Sequence, residues 1–223
     1  MSILLLGGSP SLPSSSSRLL LHIGDKLALQ GHRCSRLQVR DLPAEALLHA
    51  DFGDAAIVGA RALVAAADAI VIATPVYQAS YTGILKAFLD LLAQDGLAGK
   101  LVLPVATGGS QSHVMALDYA LRPVLAALSA GHVLASIYAT SNQLHWDAES
   151  GLAPDALTAA RVNAGVDELS SALLALQQRR LAASGAPVAR PPAARSLKDY
   201  PYKQNSKNSQ NSLPASSIEE TRA

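Results

Sequence analysis

The stretch that decides the fold lies near the N-terminus, where residues 3–17 read ILLLGGSPSLPSSSS. Its four leading apolar residues are typical of a parallel strand that is buried on both faces. A helix is predicted directly after it from the apolar spacing of Leu19, Leu20, Ile23 and Leu27. The glycines and serines between them therefore form a strand-to-helix loop. Free backbone N–H groups, hydroxyls and the positive end of a helix dipole suit an anion at such a loop.

This loop is a candidate phosphate cradle, although it matches neither of the common nucleotide motifs. The sequence lacks the Gly-Lys-Ser/Thr that closes a P-loop, and it lacks the Gly-x-Gly-x-x-Gly of dinucleotide-binding domains. A serine-rich loop of this kind suits the phosphate of flavin mononucleotide (FMN), and Arg18 is a candidate source of positive charge. The alternatives are a serine-rich turn that only caps the helix, and a solvated Arg18 on the surface.

Strands and helices alternate along the rest of the chain. Further strands are predicted at about 32–39, 69–73, 101–106 and 133–139, and helices at about 15–30, 55–66, 83–92, 113–129 and 155–180. Residues 41–51 and 142–154 are predicted to be irregular. This alternation predicts a flavodoxin-like α/β fold, with a doubly wound five-stranded parallel sheet in the order 2-1-3-4-5 and helices on both faces.

Ligands of open α/β sheets bind beyond the carboxyl ends of the strands. The three loops there, at about 8–16, 75–82 and 107–112, are also the richest in Gly, Ser, Thr and Tyr. Backbone amides beside Pro75 and Val76, flanking tyrosines at 77 and 81, and the close approach that glycines allow all suit an isoalloxazine ring. The candidate cofactor-binding residues are Ser9, Ser14, Ser15 and Ser16, then Pro75, Val76 and Tyr77, then Thr107, Gly108 and Gly109.

The sequence contains no evident set of nucleophile, base and orienting residue. The single cysteine, Cys34, excludes an internal disulfide and a cysteine-based metal cluster, and no metal site is predicted. His113 follows the third loop and is the only histidine that we place near the predicted site, as a candidate catalytic residue. A bound flavin would carry redox chemistry by itself.

Three motifs resemble the NAD(P)H-dependent FMN reductase family, and in particular the flavin reductases of two-component alkanesulfonate monooxygenase systems. They read GGSPSLPSSSS at 7–17, ATPVYQASYTGILK at 73–86, and TGGSQSH at 107–113 followed by LDYALRPVL at 117–125. The resemblance covers about residues 1–178. It implies a homo-oligomer, commonly a tetramer, that reduces FMN with NADPH or NADH. It also implies that reduced FMN is handed to a flavin-dependent monooxygenase, which cleaves sulfonates to obtain sulfur.

The resemblance assigns phosphate binding to Ser9, Ser14 and Ser16, and it assigns ring contacts to the six candidates of the second and third loops. This sequence departs from the family at Ser11 and Ser15, where members often have arginine, so the preference between NADPH and NADH stays open. The departure removes positive charge from the loop that is predicted to bind phosphate.

Tyr119 is a second candidate catalytic residue. The apolar spacing of residues 113–128 slips by one near Asp118-Tyr119-Ala120, and a one-residue insertion in a helix is commonly absorbed as a π-bulge. The matching tyrosine of alkanesulfonate-type reductases lies in such a bulge at a subunit interface. We therefore expect Tyr119 to reach across a tetramer interface and to keep FMN exchangeable; the alternative is a tyrosine that only packs.

Two other activities remain open. One is an NAD(P)H:quinone or azo reductase that retains FMN, and the other is a flavodoxin-type electron carrier. The formal charge of +1 disfavours the carrier, whose docking surface is strongly acidic, and gives no reason to expect nucleic acid or an anionic membrane as partner.

The N-terminal apolar run is too short for a signal peptide, and no segment approaches the ~20 apolar residues of a membrane span. We expect a cytoplasmic protein without a membrane partner. Residues 1–180 are predicted to form the reductase domain. Residues 181–223 are rich in Pro and then in Lys, Gln, Asn and Ser, and are predicted to be a disordered tail.

Overall fold

A parallel sheet runs through the centre of the protein, whose computed structural model describes residues 1–184. Its strands are β1 (Ser2–Gly7), β2 (Arg33–Gln38), β3 (Ala69–Pro75), β4 (Leu101–Gly108), β5 (His132–Val133) and β6 (Ile137–Thr140). The order is β2-β1-β3-β4-β5, and β6 pairs with β4 beyond β5. All these pairs are parallel. The predicted flavodoxin-like, doubly wound sheet is confirmed, with its fifth strand divided into two pieces.

Helices cover both faces of the sheet. One face carries α1 (Ser15–Leu29) and α6 (Ala156–Ser184), and the other carries α2 (Ala44–Leu48), α3 (Ala55–Ala66), α4 (Gly83–Leu89) and α5 (Arg122–Ala127). Successive residues of a strand point to opposite faces. In β1, Ile3 and Leu5 therefore pack under α1, whereas Leu4 and Leu6 pack under α3 and α4. Continuous apolar strands are thus explained by two hydrophobic cores, one on each side.

The boundaries of α1 follow from its capping residues. Ser14 precedes the helix, and its Oγ accepts a hydrogen bond from Ser17 N at 3.3 Å. The helix ends before Gly31, whose φ of 86° lies in the left-handed region that glycine adopts readily. Both ends agree with the predicted helix, and the N-terminal end places the serine-rich loop at the carboxyl end of β1.

Several predicted boundaries are wrong. The supposedly irregular residues 41–51 contain α2, because Ala46 and Leu47 form one buried helical face. α4 ends at Leu89 rather than Leu92. The predicted fifth strand is interrupted after Val133. Leu134 N still donates to Val102 O at 2.9 Å, and pairing with β4 resumes in β6. Residues 142–154 are not a plain loop, since β7 (Leu144–Asp147) and β8 (Gly151–Pro154) form an antiparallel hairpin.

The helix predicted over 113–129 is instead three segments. A 3₁₀ turn spans Gln111–Val114, a π-helical turn spans Leu117–Leu121, and α5 follows. The predicted π-bulge around Tyr119 is therefore confirmed, although the regular helix on its N-terminal side is not.

Within residues 1–184, no helix is both long enough and apolar enough to cross a bilayer. Of the predicted tail at 181–223, the part from residue 185 onward lies outside the described residues.

Candidate functional site

A cavity of about 290 Å³ opens at the carboxyl ends of β1, β3 and β4, and all three predicted loops contribute to its wall. It is lined by Ser9, Ser11, Pro13, Ser14, Ser15, Pro75, Val76, Tyr77, Thr107, Gly108, Gly109 and Ser141. Every predicted cofactor-binding residue except Ser16 is on its wall. Ser11, Pro13 and Ser141 were not predicted, and Ser141 directly follows β6, which lies beside β4 where the fifth strand was predicted.

The first loop offers hydrogen-bond donors to the cavity. Ser14, which caps α1, and Ser15, its first residue, line the cavity. Ser16 is buried behind them, with its Oγ 2.9 Å from Ser14 Oγ. Among the described residues, the backbone N–H groups of Ser15 and Ser16 donate to no protein acceptor. Unpaired N–H groups at a helix N-terminus favour an anion. Ser16 can therefore serve an anion through its backbone or through Ser14 rather than by its own hydroxyl.

Tight packing holds the glycines of the first loop in place. Gly8 N donates to Ala73 O at 2.8 Å, and the Thr82 hydroxyl donates to Gly8 O. A Cβ at Gly8 would lie 2.8 Å from Leu85 Cβ, which is closer than such atoms approach. A glycine is therefore required here, and it lets the first loop pack directly against the second.

The backbone amides of the second loop are not free, although the sequence predicts that they meet the ring. Val76 N donates to Thr107 O at 2.8 Å, and Tyr77 N donates to Ser80 O at 2.8 Å. Neither amide is therefore free to meet a ring edge. Gln78 and Ala79 have φ angles of 47° and 58°, the pattern of a tight two-residue turn with both central residues left-handed.

That turn fixes Tyr77 at the mouth of the cavity, where its hydroxyl lies 3.4 Å from Ser11 Oγ. The two side chains thus connect the first loop to the second. Tyr81, the other tyrosine expected to flank a ring, packs partly buried against the core instead, and this burial raises the pKa of its phenol. Tyr77 alone of the two lines the cavity.

The third loop approaches the cavity by its backbone. A Cβ at Gly108 would collide with Tyr138 Oη, which donates a hydrogen bond to Ser110 O. The same Cβ position lies 3.4 Å from His113 Nδ1, which is buried and has no hydrogen-bond partner among the described residues. Burial raises the pKa of the Tyr138 phenol, so this hydroxyl stays a donor. His113 therefore lies behind the third loop, close to the cavity wall but outside it.

Two other candidates point away from the cavity. Tyr119 lies on the π-helical turn with 75% of its surface exposed, and it does not line the cavity. Arg18 stacks on Trp146 of the β7–β8 hairpin, with its guanidinium carbon 4.1 Å from the ring centroid, so a cation–π contact holds it. Neither side chain lines the cavity within this chain.

The comparisons with known proteins agree with the geometry. The sequence profile of the family described as NADPH-dependent FMN reductase matches residues 1–145. The chain belongs to the NADPH-dependent FMN reductase family. As a member of this family it is an oxidoreductase that uses FMN with NADPH or NADH, as the three motifs predict. This confirms the predicted enzyme class and the predicted cofactors.

Individual relatives of this FMN reductase differ in the coenzyme that their names state. An FMN reductase (NADPH) of Pseudomonas putida (strain KT2440) is 44% identical over 179 residues, covering 80% of this chain and 90% of the relative. The NADH-dependent FMN reductase SfnE of Pseudomonas putida is 32% identical over 148 residues, covering 65% and 79%. The solved apo form of the NADH:FMN oxidoreductase EMOB superposes with a TM-score of 0.70 at 37% identity, covering 77% and 89%.

The cavity of this FMN reductase has the donor chemistry that FMN requires. Hydroxyls and unpaired N–H groups lie at the serine-rich end, and glycine backbone lies at the other. Within residues 1–184, no group of three or more His, Cys, Asp or Glu side chains is arranged to hold a metal ion.

Proposed function

We propose that this FMN reductase binds FMN as an exchangeable substrate and passes reduced FMN to a separate flavin-dependent monooxygenase. The observation that carries the proposal is the open cavity, whose wall combines a serine-rich helix N-terminus with residues of the second and third loops. Such a cavity holds a flavin by its phosphate and its polar edge while leaving the ring open for the coenzyme.

Each loop has a separate task in this proposal. The hydroxyls of Ser9, Ser14 and Ser15, with the N–H groups of Ser15 and Ser16, hold the phosphate. Pro75, Val76 and Tyr77 hold one side of the ring, and Thr107, Gly108 and Gly109 hold the other. When bound, FMN accepts a hydride from the nicotinamide, while the protein supplies orientation. Tyr77 and Ser11 close the mouth over the phosphate end.

His113 is proposed to support the ring contact from behind the third loop. Its buried Nδ1 has no partner within the described residues and lies beside the Gly108 backbone. An unpaired buried nitrogen is costly unless ligand or water completes it. His113 therefore acts on a bound flavin only through the Gly108 backbone that it supports.

Tyr119 is proposed to act in a homotetramer. The exposed apolar side chains of Val114, Met115 and Tyr119 lie along the 3₁₀ and π-helical turns, and an apolar surface of this kind suits a subunit contact. The resemblance to alkanesulfonate-type reductases supports a role in which Tyr119 reaches the partner's cavity and keeps FMN exchangeable. The same resemblance supports a sulfonate-cleaving monooxygenase as the acceptor of reduced FMN, in the cytoplasm.

Steady-state oxidation of NADPH and of NADH tests this proposal, with FMN, FAD, riboflavin and a quinone as acceptors. We expect colourless purified protein, rapid turnover that depends on added FMN, and little quinone reduction. Yellow protein that turns over the quinone without added FMN would show a retained prosthetic group and overturn the proposal. The two coenzymes compared in the same assay give the preference, which the serines at 11 and 15 leave open.

A further inference from the structure

Arg40 reaches the serine-rich loop from outside the three predicted loops. It lies in the 3₁₀ turn Val39–Asp41 directly after β2, and its side chain is 15% exposed. Its Nη1 lies 3.3 Å from Ser9 O, 3.2 Å from Ser11 O and 3.3 Å from Ser17 Oγ. One guanidinium nitrogen therefore joins the loop to the first turn of α1.

These contacts set the direction of the loop carbonyls. In a trans peptide the C=O and the N–H point in opposite directions. When Ser11 O faces Arg40, the following N–H, on Leu12, faces away from it. Carbonyl oxygens would repel an anion, so holding Ser9 O and Ser11 O towards Arg40 keeps these two acceptors away from a bound anion.

Arg40 also brings a positive charge to a loop that has none of its own. Residues 8–17 contain neither Lys nor Arg, and Arg18 is stacked on Trp146. The carboxylate near Arg40 is that of Asp41, with Oδ1 3.8 Å from Nε and its side chain 70% exposed. At 3.8 Å these two atoms are too far apart for a hydrogen bond, and solvent screens the exposed carboxylate. The buried Nε has no hydrogen-bond partner among the described residues. The charge of Arg40 is therefore only weakly compensated.

We propose that Arg40 is the positioning residue of the phosphate site, which orients the serine-rich loop and supplies its positive potential from behind. This inference rests on the proposed function, because the phosphate of FMN is the anion concerned. Arg40 need not touch that phosphate. A partly buried charge is screened less than an exposed one and therefore acts across the loop.

The test compares the affinities of FMN and riboflavin, which differ by the phosphate, in wild-type protein and in Arg40→Met, Arg40→Lys and Arg36→Met. Quenching of flavin fluorescence gives each Kd. Arg36→Met is the matched control, because it removes an exposed arginine of the neighbouring strand that pairs with Asp25. We expect Arg40→Met to weaken FMN binding at least tenfold and riboflavin binding less than twofold. Arg40→Lys keeps the charge but loses the forked donors, so its FMN affinity should lie between those of Arg40→Met and wild type. The control should have the wild-type affinities.

Two further readouts separate positioning from general stability. For Arg40→Met we expect KM for FMN to rise with kcat unchanged, and we expect the salt dependence of FMN binding to flatten. Equal weakening of both flavins, or wild-type FMN affinity in both Arg40 variants, would overturn the inference. If Arg40→Met does not fold, Arg40→Lys provides the test. A wild-type ratio of FMN to riboflavin affinity in Arg40→Lys would contradict a positioning role. Equal affinities of wild-type protein for FMN and riboflavin would contradict both the phosphate site and the proposed function.

Discussion

Single side chains decide how the cavity treats a charged ligand. Ser15 lines it at the first turn of α1, and its hydroxyl makes no hydrogen bond to another described residue. Ser14, in contrast, also caps the helix, and Ser9 Oγ also accepts from Ser11 N. Ser15 is therefore the serine whose removal changes ligand binding with the least effect on the fold.

We predict that Ser15→Ala weakens FMN binding about tenfold, because a hydrogen bond to a charged group contributes ~1.5–3 kcal/mol. Riboflavin, which has no phosphate, should bind as before. Flavin fluorescence titrations give both values. Ser129→Ala, which removes a hydroxyl bonded to Gln94 O away from the cavity, is the control. Equal losses for both flavins would show that Ser15 supports the loop rather than the phosphate.

Secondary-structure elements add two features that no single residue carries. The π-helical turn Leu117–Leu121 pushes Tyr119 outward to 75% exposure, next to an ion pair between Asp118 and Arg122. α6 is fastened to the start of β2, where His32 Nε2 lies 2.7 Å from Ser170 Oγ and Gln30 Nε2 donates to Asp167 Oδ1. The first feature concerns assembly, and the second concerns stability.

Deleting Tyr119 should restore a regular helix, since π-turns are one-residue insertions. We expect the variant to retain FMN through purification and to lose turnover of added FMN. Flavin content and NAD(P)H oxidation measure the two effects. Tyr119→Phe, which keeps the insertion, is the control and should stay colourless. A deletion variant that is colourless and active would leave Tyr119 with a packing role only.

The burial of His32 makes stability depend on pH. Burial lowers the pKa of His32, with a smaller effect from the N-terminal amino group, and burial also lowers the pKa of His22. The unfolded chain therefore binds protons at higher pH than the folded chain. The contribution of neutral, buried His32 to the free energy of unfolding is complete above the ordinary histidine pKa of about 6.5. It is lost as the pH falls towards the lowered pKa of the folded state.

We predict that His32→Gln flattens the decrease in unfolding free energy that occurs as the pH falls below the ordinary histidine pKa of about 6.5. Urea unfolding at several pH values measures it. His145→Gln, on the exposed strand β7, should keep the wild-type slope. An unchanged slope in His32→Gln would contradict the assignment of the pH dependence to the burial of His32.

The molecule as a whole brings together loops that lie about 60 and 30 residues apart in sequence. Parallel strands with adjacent carboxyl ends do this without further design, since β1, β3 and β4 are neighbours. For this reason the three-loop cavity was predictable from the sequence. The apolar strands, the capping Ser14 and Gly31 indicate where the first strand, loop and helix begin and end. The π-turn was predictable from a slip in apolar spacing.

Other features depend on contacts that sequence patterns do not record. Arg40 follows β2, and only the packing of that strand beside β1 brings it to the serine-rich loop. The occupied Val76 amide depends on a bond to Thr107 that crosses between strands. α2 and the β7–β8 hairpin are short, and short elements are stabilised by tertiary packing more than by local propensity.

The length of chain that the reductase needs is a further prediction. Leu173 is fully buried on α6, and Arg180 Nη1 lies 2.6 Å from Asp68 Oδ1. Truncation after Arg180 keeps both, so we expect the melting temperature and FMN turnover to stay at the full-length values. Truncation after Leu169 is the contrasting variant and should lower the melting temperature, because it removes Ser170 and Leu173. A marked loss in the longer variant would show that residues after Arg180 stabilise the domain.

The central claim is that the serine-rich loop recognises the phosphate of FMN in an exchangeable manner. Titrating flavin-free wild-type protein with FMN and with riboflavin tests it most directly. The account predicts reversible binding, with FMN at least tenfold tighter than riboflavin, which is about one charged hydrogen bond or more. Equal affinities for the two flavins would contradict it.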